Sequence, residues 1–132
     1  MAVTRFSTSG LKGSKYKSTQ SATGLKGFGG AVTLADGYWI HTFTSDGTFV
    51  ATQDMEVEYL VVAGGGGARN YFAGPGGGAG GMRTGTLSIT AGNKIVTVGA
   101  GGAGGASTNS YTNGSQGQNS VFDSITSTGG GY

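Results

Sequence analysis

Of the 132 residues, 30 are glycine, one is proline, none is cysteine and only 11% are charged. Glycine is about three times its usual 7% share, yet it lacks the strict every-third spacing of collagen. Without cysteine there is no disulfide scaffold, and no stretch approaches the roughly 18 apolar residues of a membrane-spanning helix. Met1–Ser7 has no apolar core of a secretion signal, which makes a soluble, intracellularly synthesised single domain the expectation.

Hydrophobic residues make up 36%. A monomer of this composition buries little apolar surface while ordering many glycines, the residues that lose most backbone entropy. Small chains short of core borrow stability from disulfides, metals or partner subunits. With no cysteine and few metal ligands, partner subunits are the expected source.

The net charge of +2 conceals a split. Residues 1–35 carry Arg5, Lys12, Lys15, Lys17 and Lys26 with no acid, whereas residues 36–132 are net acidic. The first segment holds a two-copy repeat, Ser7–Gly13 and Ser21–Gly27, too short for a solenoid. It shows neither helical nor strand periodicity and reads as a basic, extended, Gly/Ser/Thr-rich arm. Five cations and the spaced aromatics Phe6, Tyr16 and Phe28 are a thin basis for nucleic-acid binding. A docking segment that folds against other proteins is the better expectation, with those five cations as its contacts.

From Asp36 onward the chain reads as antiparallel β. Tyr38–Thr44 is aromatic and β-branched, and Asp46-Gly47 before Phe49-Val50 predicts a type I′ hairpin. Glu56–Val62 alternates and then turns wholly apolar, as a strand entering a buried sheet does. Gly85–Thr90 alternates with Leu87 and Ile89 inward, Ala91–Asn93 turns, Lys94–Val98 follows, and a last strand is predicted over Ser120–Thr126. No segment has an amphipathic helical stripe. The fold class is all-β, a small antiparallel sandwich in residues 36–132.

Glycine runs lie between the strands, at Ala63–Ala68, Ala73–Gly81, Gly99–Ala106 and Gly129–Gly131. Two readings are open. One is flexible linker. The other is ordered polyglycine-II packing, suggested by alanines at period three (Ala100, Ala103, Ala106), the period of the polyproline-II helix. Such helices have no internal hydrogen bonds and pair with neighbours instead.

Gly99–Gly104 imitates GxGxxG, with Asp123 about 20 residues on. The pattern arises by chance in so glycine-rich a chain, and the turn-forming Ser107–Gly114 offers no helix N-terminus for a pyrophosphate. His41 is the only histidine and lies on a predicted strand, which favours a structural role over a zinc or triad role. Glu56 and Glu58 share a strand face and read as solvated residues. No enzyme activity, metal or cofactor is expected.

Five ordered blocks, Asp36–Phe49, Val57–Gly67, Gly80–Thr90, Val96–Gly105 and Asn119–Gly131, resemble the glycine-rich domain of bacteriophage tail-fibre and related virion proteins. The resemblance covers residues 36–132 and departs at Arg69–Phe72, where relatives continue with glycine. It implies a virion location and a structural role in a tail fibre or similar appendage serving host attachment. It further implies a homo-oligomer, trimer favoured, docked on other virion proteins by the basic arm. Two alternatives accompany it. One is a receptor-binding module whose Arg69, Tyr71, Phe72, Tyr111 and Asn113 contact host glycans. The other is a capsid decoration protein.

Overall fold

The computed structural model describes residues 1–7, 24–70, 75–106 and 112–132, with backbone alone considered for Ala2–Ser7. Ten strands follow in chain order: β1 Ala2–Ser7, β2 Gly27–Phe28, β3 Ala31–Ala35, β4 Tyr38–Phe43, β5 Gly47–Ala51, β6 Met55–Val62, β7 Met82–Ile89, β8 Gly92–Thr97, β9 Ser120–Phe122 and β10 Ile125–Ser127. They form two five-stranded antiparallel sheets, β3-β4-β1-β6-β7 and β10-β9-β8-β5-β2, packed as a small sandwich. No helix among the described residues is long and apolar enough to cross a membrane.

Period-two alternation sets which side chains meet between the sheets. The first sheet sends in His41 and Phe43 from β4, Val57 and Val61 from β6, and Ile89 from β7. The second supplies Phe49 and Ala51 from β5, Val96 from β8 and Phe122 from β9. Phe49 lies edge-on to His41 at 4.9 Å and to Phe122 at 6.2 Å, so one ring links the two sheets. Burying each such phenyl group stabilises the fold by roughly 1.5–3 kcal/mol. Leu87 and Ile89 face inward as their alternation predicts.

Three expectations are corrected. Asp46-Gly47 does not close a hairpin, because β4 and β5 belong to different sheets. Residues 44–46 instead cross between the sheets, which lets Phe43 and Phe49 enter the same interior. The Asp-Gly hairpin turn is Asp36-Gly37, where φ is 51° and 81°, positive at both central positions as type I′ requires. It joins β3 to β4 with Ala35 opposite Tyr38. The single last strand predicted over Ser120–Thr126 is two, β9 and β10, folded back at Asp123 with φ 52°.

The third concerns the arm. The described parts of residues 1–35 belong to the sandwich: β1 sits between β4 and β6, with Thr4 opposite both His41 and Tyr59. β2 and β3 add an edge to each sheet. Without β1, the facing edges of β4 and β6 would lose their ladder partners, so the sandwich begins at Ala2 rather than Asp36. Val3, Arg5 and Ser7 share one face of β1 and Ala2, Thr4 and Phe6 the other, a contrast too weak to reveal the strand.

Candidate functional site

Beyond the sandwich the glycine runs form an ordered bundle. Five extended segments, residues 63–70, 75–81, 99–106, 112–119 and 128–131, continue from the strands and bond to one another. The first segment is central. Its Gly64 and Gly67 N–H groups donate to the Gln118 and Ser115 carbonyls of the fourth (3.0 and 2.8 Å), and Asn70 to Thr112 (3.1 Å). Ala63 and Gly66 donate to Gly81 and Gly78 of the second (2.9 and 2.8 Å). Its Gly65 and Ala68 carbonyls accept from Gly102 and Gly105 of the third, both at 2.8 Å, and its Gly64 carbonyl accepts from Gly130 of the fifth at 2.9 Å.

Every ladder advances by three residues, and none of these hydrogen bonds joins residues of one segment. That is the pairing of left-handed three-residue-per-turn helices, polyglycine-II, and of the two readings of the runs it is the ordered one. Burial follows the same period: Gly114, Gly117 and Ser120 are buried while Asn113, Ser115 and Gln116 are exposed. Ala100, Ala103 and Ala106 point outward.

Glycine is required where segments touch. A Cβ on Gly67 would coincide with the Ala103 carbonyl oxygen, and one on Gly117 with that of Gly64. Side chains close the bundle where it leaves the strands. Asp46 Oδ1 accepts from Val98 N–H (2.8 Å), Ser120 Oγ from Gly99 N–H (2.9 Å) and Asn119 Oδ1 from Gly129 N–H (2.9 Å).

At the far end, Asn70 pairs with Thr112 as an isolated bridge. The Asn70 side-chain amide donates to the Ala106 carbonyl at 2.6 Å, and the Thr112 hydroxyl donates to the same oxygen at 3.0 Å. One carbonyl thus ties the ends of the first, third and fourth segments. Arg69 and Asn113, expected as receptor contacts, flank this bridge and are both exposed at one end of the bundle. Tyr71, Phe72 and Tyr111, expected with them, lie outside the described residues. Asn70 was not singled out from the sequence; an amide interrupting a glycine run was its signal.

Of the five expected docking cations, two lie among the described residues. Arg5 lies on β1, in register with Ile40 and Glu58. Lys26 is partly buried, and its carbonyl accepts from the Thr52 N–H and hydroxyl, both at 3.0 Å. Lys12, Lys15 and Lys17 lie outside the described residues.

His41 is fully buried, with Nδ1 2.7 Å from the Gly29 carbonyl, to which its N–H donates. Desolvation by burial pushes its pKa below 6.5, opposed by that hydrogen bond, so the ring is neutral at pH 7. It pins the Gly29-Gly30 crossover, whose φ values of 111° and 64° carry the chain from β2 to β3. Glu56 is exposed on β6, two residues from Glu58, opposite Ser88 and Thr86. Among the described residues no three His, Cys, Asp or Glu side chains gather to hold a metal ion.

A family model described as a glycine-rich domain matches residues 43–132. No curated protein and no solved structure matches the chain.

Proposed function

The chain belongs to the glycine-rich domain family, and on that premise we propose that it is a structural module of a bacteriophage virion, in a tail fibre or similar appendage that serves host attachment. The observation that carries this reading is the bundle. It continues the strands as segments joined by backbone hydrogen bonds, and Arg69 and Asn113 both lie at the end away from the strands. Binding residues are commonly displayed at one end of an ordered scaffold. In this proposal the sandwich is the base that meets neighbouring virion proteins, and the far end of the bundle is the surface offered to the host.

The placement of Arg69 and Asn113 favours one refinement, contact with cell-surface glycans, since guanidinium and amide groups hydrogen-bond sugar hydroxyls. Antibodies against the purified chain are expected to decorate an appendage of the phage particles in electron micrographs. Particles that carry no label, from cells that express the chain, would refute the virion role. Loss of bacterial-surface binding in Arg69→Ala with Asn113→Ala, at unchanged folding, is the expected result for the refinement; undiminished binding refutes it.

A further inference from the structure

Among the described residues four strands terminate the two sheets, and three of them are blunted. β2 has two residues and β10 three, too short to template a partner. β7 is eight residues long but carries Arg83 in register with the core residue Val61, an inward-side charge that opposes pairing. The fourth edge, β3, has neither device. Its sequence, Ala31-Val32-Thr33-Leu34-Ala35, contains no charge and no proline, and all five residues are exposed.

Val32 and Leu34, in register with His41 and Trp39, share the core-facing side of the sheet. They remain 40% and 47% exposed. An uncharged apolar edge is a template for a further strand. The order of residues along β3 specifies which strand. Read in either direction it runs small, branched apolar, threonine, branched apolar, small. Paired antiparallel with itself about Thr33, it sets Ala31 against the partner's Ala35, Val32 against the partner's Leu34, and Thr33 against the partner's Thr33. Every cross-strand pair is then matched in size and polarity on both faces.

We infer that β3 is an isologous interface through which a second copy of this chain pairs, joining two five-stranded sheets into one of ten strands. The twofold axis passes between the two Thr33 residues, as a closed dimer requires. The exposed Val32 and Leu34 of each copy cover one another and carry the apolar layer across the junction. The inference stands apart from the virion reading, because it concerns the edge of the sandwich and not the end of the bundle.

The test is the solution mass of the whole chain by light scattering and sedimentation. Twice 13.0 kDa is expected. Thr33→Lys places two like charges face to face at the axis and is expected to give a monomer with unchanged far-ultraviolet dichroism. Thr33→Glu is expected to do the same. Mixing the two variants is expected to restore the dimer as a Lys–Glu heterodimer, which a merely unfolded variant does not do. A wild-type mass of 13.0 kDa at millimolar concentration, a threefold mass, or a dimer indifferent to Thr33→Lys would each overturn the inference.

Discussion

Replacing Gly117 with alanine puts a methyl group where the Gly64 carbonyl oxygen already lies. The fourth segment then has to move away from the central one. Doing so lengthens the Gly64 N–H bond to Gln118 (3.0 Å) and the Gly67 N–H bond to Ser115 (2.8 Å), both donated from buried glycines. Overpacking of this kind costs about 1–3 kcal/mol, and each buried donor left unpaired costs about 1–3 kcal/mol more. With partial relaxation the expected loss is about 3–5 kcal/mol, a large part of the roughly 5–15 kcal/mol of a typical domain. At about 2.1 cal/mol/K per residue, 132 residues give an unfolding entropy near 0.28 kcal/mol/K, so a 4 kcal/mol loss lowers Tm by about 14 °C.

Gly101→Ala is the control. Its Cβ meets only the Gly65 oxygen at 3.6 Å, an ordinary contact, and Gly101 has no positive φ. Alanine there restricts the unfolded chain and is expected to stabilise by about 0.4–1 kcal/mol. Urea unfolding followed by the fluorescence of Trp39, the single tryptophan, measures both variants. Equal effects of the two substitutions would refute the reasoning, since they would show that glycine at these positions does not serve segment contact.

Three further outcomes are expected. The His41 pKa is depressed in the folded state, so the unfolded chain binds more protons. Its contribution is therefore complete above about pH 6.5 and is lost as pH falls from there through the folded pKa; the urea midpoint of the wild type should fall over that window more than that of His41→Gln. Deleting residues 1–35 removes β1, β2 and β3 and is expected to abolish folding, seen as loss of the strand dichroism. Asp46→Ala orphans the Val98 N–H where β8 enters the bundle and is expected to lose about 1–2 kcal/mol in the same urea assay.

The sandwich was legible wherever alternation was strong, as in Gly85–Thr90, while the period of Ala100, Ala103 and Ala106 raised ordered three-residue helices as one of two open readings of the glycine runs. The misassigned hairpin shows the limit of a local signal. Two Asp-Gly pairs stand ten residues apart, and nothing near either one reveals whether the flanking strands share a sheet; β3 and β4 do, β4 and β5 do not. Likewise β1 is held by pairing with strands more than 30 residues away in sequence, so its own residues announce little. The far end of the bundle was half legible. Arg69 stood out where the first glycine run breaks off and Asn113 as a polar residue suited to sugar contact, whereas the Asn70–Ala106–Thr112 tie depends on three segments meeting in space.

The bundle also sets the heat capacity of unfolding. Its five segments bury peptide groups and scarcely any hydrocarbon, and exposing polar surface lowers ΔCp where apolar surface raises it. The change per residue is therefore expected below the usual 12–15 cal/mol/K. A smaller curvature flattens the stability curve, so a chain in which main-chain bonds replace part of the apolar core keeps its margin further into the cold than a domain of the same size with a wholly apolar interior.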